Sequence, residues 1–137
     1  MNDDYIGTVN EWVKIVNQDI DVVRHLATHH PLPIEIICFH AQQATEKILK
    51  AFLVSNGVVP PKTHNIRHLI EMCQKIKADF VAFCREADTL TQYGVTPRYP
   101  TEYDLDETDA KIAISYAEKI VQYVNGLLFP ENNKTDT

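Results

Sequence analysis

The stretch FHAQQATEKILKAFL, Phe39 to Leu53, decides how this chain reads. Taken as a helix that begins a little earlier, it puts Ile37, Ala41, Ala44, Ile48 and Phe52 on one side, at the three-to-four-residue spacing of a buried stripe. His40, Gln43, Lys47 and Lys50 then line up about a quarter turn away. That row carries an imidazole, an amide and two ammonium groups, in an order suited to meeting an anion or the backbone of a partner. Its structural counterpart is a solvated face with a Glu46–Lys50 pair at the favoured spacing. His40, between Phe39 and Ala41, is expected to be partly buried, where a histidine more often serves as a hydrogen-bonding group than as a catalyst.

Outward from this helix the pattern stays helical, and no strand is convincing. Val9, Trp12, Val16, Ile20, Val23 and Leu26 give a first amphipathic helix from about Thr8 to His29. Pro31 and Pro33 break it, and Pro33 suits the first turn of the second helix, Ile34 to about Ser55. Asn56-Gly57 ends that helix through a left-handed turn. After the rigid GVVPPKTH, Asn65 is expected to cap a third helix bearing Leu69, Ile70, Cys73 and Ile76. Asp79 is expected to cap a fourth, with Phe80, Cys84, Ala87 and Leu90 inside. YGVTPRYPTEYDLD, residues 93–106, then reads as a loop, because one glycine and two prolines interrupt it. Asp106 to Asp109 open a last helix carrying Ala110, Ala113, Ala117, Ile120, Val124 and Leu127. The expectation is an all-α bundle whose short connections favour antiparallel neighbours, one domain over residues 1–130 with a frayed tail at 131–137.

Size and charge narrow the function classes. A chain of 137 residues, 45% apolar and 23% charged, suits one globular domain with a real core. A net charge of −6 argues against coating duplex nucleic acid, which needs many Lys and Arg contacts to phosphate. No run is long and apolar enough for a membrane helix, and MNDDYIGTVNEW lacks the features of a signal peptide, so a cytoplasmic protein is expected. Cys38, Cys73 and Cys84 each fall in an apolar helical pattern and read as buried free thiols.

Three further polar clusters carry candidate chemistry beside simpler structural readings. His25 and His29 have a metal-ligand spacing, but helix-end cations are already explained by the dipole, and no metal or cofactor is expected. His64 and Asn65 precede a helix whose N–H groups could receive an anion, with Lys62 and Arg67 near; an ordinary cap is the simpler reading. Arg98, in TPRYP, sits on a stiff aromatic segment. It is suited to hold a phosphate or stack on a base, or else to pin the loop through Glu102 or Asp104. No nucleophilic triad and no glycine-rich phosphate loop is present. Trp12, Tyr116, Tyr123 and Leu127 are expected to exceed what one core can hide, which points to a two-fold dimer.

The helix FHAQQATEKILKAFL, the opening KTHNIRHLIEMC and the loop YGVTPRYP together resemble the HEPN domain, named for higher eukaryotes and prokaryotes nucleotide-binding. The matching residues are His40, Gln43, Glu46, Lys47, Lys50, Thr63, His64, Arg98, Tyr99 and Pro100. The resemblance implies an antiparallel up-and-down bundle of four main helices plus a short extra helix, usually dimeric. It also implies a partner, a separate small nucleotidyltransferase, in a toxin–antitoxin-like pair. Nucleotide or RNA binding would fall to His40, Gln43, Lys47, Lys50, His64, Arg98 and Tyr99. Some family members are metal-independent ribonucleases with an arginine followed four to six residues later by a histidine. No histidine follows His68 in this chain. The reading therefore leans away from an enzyme, with a ribonuclease using an unorthodox Arg/His site as the alternative.

Overall fold

Side-chain caps set where the long helices begin. In the computed structural model, which describes residues 6–95 and 105–131, α1 spans Val9–Leu26, α2 Ile34–Ser55, α3 Ile66–Ile76, α4 Cys84–Val95 and α5 Glu107–Leu128. Thr8 Oγ1 accepts from the Glu11 N–H at 3.1 Å while Glu11 accepts from the Thr8 N–H at 2.8 Å, a reciprocal box that satisfies two donors α1 would leave open. Asp106 and Asp109 do the same for α5, at 3.0 and 2.9 Å. Asn65 caps α3 by accepting from the His68 N–H at 3.1 Å. α2 starts after Pro33 without a side-chain cap and ends through Gly57, whose φ of +74° favours glycine.

Three boundaries differ from the sequence expectation. α1 ends at Leu26, three residues short of His29, where Ala27 and Thr28 turn the chain out of the helix before Pro31. The segment opened by Asp79 is a 3-10 helix, Ala78–Phe83, capped by no side chain; Asp79 instead pairs with Lys77 at 3.6 Å. In a 3-10 turn residues three apart eclipse. Phe80 and Phe83 therefore face the same way, and both rings meet Tyr123, at centroid distances of 5.4 and 5.1 Å. At its other end α4 runs to Val95, so Tyr93 belongs to the helix and not to the loop. Tyr93 is buried and donates to Asp109 Oδ1 at 3.3 Å. That anchoring outweighs the roughly 1 kcal/mol that a helical glycine such as Gly94 costs. Arg98, Tyr99 and Pro100 lie outside the described residues.

Among the described residues all regular structure is helical, and α2 is its axis. It packs most extensively on α1 and α5 and also meets α3 and α4. Asp19 pairs with His40 and Trp12 with Lys50, so α1 runs antiparallel to α2. Ile66–Thr91 with Arg67–Asp88, and Glu86–Lys119 with Tyr93–Asp109, likewise run α4 antiparallel to α3 and α5. The predicted stripe Ile37, Ala41, Ala44, Ile48 and Phe52 is buried as expected, but Cys38, Leu49, Ala51 and Leu53 are buried too. Truncating one such residue, Ile48→Ala for example, removes about 2–5 kcal/mol. Burial pushes the thiols of Cys38 and Cys73 up to about 12, the carboxylates of Asp109 and Glu35 adding to the effect at Cys38, so both stay protonated.

Surplus apolar surface lies elsewhere than the sequence suggested. Trp12, Tyr116, Tyr123 and Leu127 are all partly buried. The exposed large apolar side chains are Ile15, Val22, Ile36, Val59, Ile76 and Val81. Ile15 and Val22, seven residues apart, share one side of α1.

Candidate functional site

Along α2 the polar row becomes one hydrogen-bonded network, fed from α1 on one side and from the α2–α3 connection on the other. At its first end Asp19 of α1 reaches His40, with Oδ1 3.0 Å from Nδ1. A carboxylate there makes Nδ1 the donor and turns Nε2 away from Asp19. Lys47 Nζ stands 3.8 Å from Asp19 Oδ2 and donates to Gln43 Oε1. Gln43 donates to Gln42 Oε1 at 2.7 Å. Gln42 in turn donates to Glu46 Oε1 at 3.3 Å and to the His64 carbonyl at 3.2 Å.

The second end is built on Glu46. Its Oε1 accepts from His64 Nδ1 at 2.8 Å and its Oε2 from Lys50 Nζ at 3.0 Å. The Glu46 side chain is 4% exposed and that of Lys50 9%, whereas the His64 side chain is 71% exposed. Burial alone would raise the Glu46 carboxyl, but the hydrogen bonds and charges of His64 and Lys50 outweigh it and hold the group below its ordinary range. Lys50 also lies 6.0 Å from the Trp12 ring centre, a contact that adds cation–π attraction. Gly7 is held close to that ring: with φ at +91°, a Cβ there would sit 3.2 Å from Trp12 Nε1.

Of the predicted site residues, His40, Gln43, Lys47, Lys50 and His64 are thus joined through contacts, and Arg98 and Tyr99 fall outside the described residues. The row is not a freely solvated face, because Lys50 is buried and Lys47 half-buried against Asp19. Sequence reasoning missed Asp19 and Gln42. Asp19 sits in the polar run Asn17-Gln18-Asp19, and its role shows only once the α1–α2 register is known. Gln42 gave one signal, its place in the quoted motif beside Gln43.

The other clusters resolve more simply. At the start of α3 the Ile66 N–H donates to Thr91 Oγ1 at 2.9 Å and the His68 N–H to Asn65, so these groups are not open to an anion. Arg67 is taken by Asp88 at 2.7 Å and Glu71 at 3.6 Å. His25 closes α1, and His29 lies beyond the helix with Nδ1 3.1 Å from the Pro31 carbonyl.

An all-α bundle organised on a helix with this polar row defines a protein class, and comparison with known proteins agrees with it. The model of the HEPN domain matches residues 9–127, and the chain belongs to the HEPN family. It is similar to a Methanocaldococcus jannaschii protein whose name is "Putative toxin", with 24% identity covering 85% of this chain and 86% of that protein. It is also similar to the crystal structure of an archaeal HEPN homologue, with 28% identity and a TM-score of 0.67, covering 88% of this chain and 98% of the other. Among the described residues no helix is long and apolar enough to cross a membrane.

Proposed function

We propose that this chain is a toxin-like HEPN protein that works as a homodimer with a separate small nucleotidyltransferase, and that the α2 row receives a nucleotide, an RNA or that partner. The family match and the similarity to a protein named as a toxin support a toxin-like HEPN protein, and the partner and the dimer rest on the family resemblance alone. The observation that carries the second is the prearranged row. Every charged side chain in it is already held by a neighbour, so little conformational freedom is lost when a ligand meets His40, Lys47 and His64. Lys50 then acts from behind, as the buried counter-charge of Glu46. Arg98 and Tyr99 belong to the proposed site through the family resemblance alone. For the dimer, Ile15 and Val22, exposed and aligned on α1, are better anchors than the partly buried Tyr116 and Tyr123.

The row fits binding better than acid–base cleavage. Positions 40 and 46 are about 9 Å apart along the helix and a third of a turn around it. The two histidine–carboxylate pairs thus arise from separate turns of α2, which favours binding over paired acid–base action on one phosphodiester. Expression of this chain alone should slow growth of a bacterial host, and co-expression of a small nucleotidyltransferase from the same genome should restore growth and copurify with the chain. Normal growth with the chain alone would sink the toxin reading. A monomer mass by light scattering at tens of micromolar would remove the dimer.

The Asp19–His40 pair favours one second reading, a metal-independent ribonuclease, because it leaves Nε2 free of Asp19 to exchange a proton. Cleavage of single-stranded RNA without metal, lost in both His40→Ala and Arg98→Ala with the fold intact, would establish that reading instead.

A further inference from the structure

The outer face of α1 repeats itself with a change of sign. Lys14-Ile15 and Asp21-Val22 are the same arrangement, a charge followed by an aliphatic side chain, two turns apart, and all four residues are exposed. Lys14 and Asp21 make no ion pair among the described residues. They are also the only exposed charges between positions 14 and 22. On the α2 side of this face Ile15 and Val22 form an apolar edge beside Asp19. The Asp19–His40 bond fixes how the two antiparallel helices lie, and counting outward from it brings Val22 nearly level with Ile36, which is exposed as well. The opposite edge carries Lys14 and Asp21.

We infer that a second copy of this chain packs on this face, α1 against α1, with a two-fold axis at Gln18. Antiparallel pairing about Gln18 sets Ile15 of one copy against Val22 of the other, and Lys14 of one against Asp21 of the other. Each contact occurs twice, because a two-fold interface uses the same patch from both sides. A parallel pairing would put the two Lys14 side chains level with each other, and the two Asp21 side chains likewise, so the order of charges selects the antiparallel one. The patch is balanced although the whole chain carries −6, so its own charges do not oppose self-association. Nucleic acid is the poorer occupant, since Lys14 is offset by Asp21 and no aromatic side chain lies between positions 14 and 22 for a base to stack on. The same two-fold leaves Asp19 and the α2 row of both copies on one side of the α1 pair. This pairing rests on the homodimer proposed above and adds its register.

The test is sedimentation equilibrium of the full chain and its charge variants at low ionic strength, where a rim ion pair is least screened. The parent is expected to dimerise at roughly tens of micromolar. Lys14→Glu and Asp21→Lys each set like charges together twice in the dimer, and each should raise its Kd at least about tenfold. Lys14→Glu combined with Asp21→Lys restores unlike pairs and should return the Kd to within about threefold of the parent. All the substituted side chains are exposed, and circular dichroism checks that the helices persist. A dimer whose Kd ignores either single reversal, or is not recovered by the double one, would overturn this pairing and leave the homodimer standing. A parent chain that stays monomeric would overturn both.

Discussion

Two histidine–carboxylate pairs sit on α2, and they are built in opposite senses. At His64 the carboxylate is the buried partner, 4% exposed, and the imidazole stands 71% in water. At His40 the two are closer to equal, with the imidazole 30% exposed and Asp19 13%. The buried carboxylate has three donors, from His64, Lys50 and Gln42, whereas Asp19 Oδ2 has no hydrogen bond and only Lys47 at 3.8 Å. A fully partnered charge in a dry place holds structure together. An incompletely partnered one in a half-open place is better suited to a ligand.

The largest test of that difference is Glu46→Gln. It leaves the Lys50 ammonium buried without a counter-charge, so a loss of about 2–4 kcal/mol is expected by denaturant titration. Asp19→Asn, by contrast, releases a Lys47 that can turn toward water. A loss of roughly 1 kcal/mol is expected there. If the two losses are equal, the pairs do not divide structural and ligand-facing roles.

Acid sharpens the contrast. Glu46 has a folded-state pKa below its ordinary value of 4.5. Its ionised form is therefore favoured by folding, and its contribution is complete above that ordinary value and disappears as pH falls through the lower, folded one. The parent protein should lose stability on acidification below about pH 4.5 more steeply than Glu46→Gln does. Parallel acid limbs for the two proteins would mean that Glu46 is not the group being titrated.

Much of this architecture was legible because it is periodic. The α2 stripe, the carboxylates at Asp106 and Asp109 that open α5, the Asn65 cap and the Gly57 exit all depend on residues within a few positions of one another. The Glu46–Lys50 pair was legible for the same reason. What escaped depends on packing between distant segments. Asp19 looks like an ordinary surface residue until α1 is laid beside α2, and His64 looks like a helix cap until the 56–65 connection returns to Glu46. Tyr93 reads as loop from the local proline and glycine signals, and only its bond to Asp109 of α5 shows why the helix continues past it. The 3-10 turn escaped because its purpose is to aim two phenylalanines at Tyr123, a residue some forty positions away.

The smallest effect should come from His64→Ala, and it is the most discriminating. His64 donates to the most buried carboxylate of the row, so proximity alone suggests a large loss. Exposure argues otherwise. An imidazole mostly in water gives up little solvation when it bonds and returns to little when it is removed, and water can reach the place it vacates. Glu46 keeps Lys50 and Gln42, and the backbone carbonyl at position 64 still accepts from Gln42. A loss below about 1 kcal/mol is therefore expected in a denaturant titration. A loss approaching that of Glu46→Gln would show that His64 seals Glu46 from water, and the two ends of α2 would then differ in exposure without differing in role.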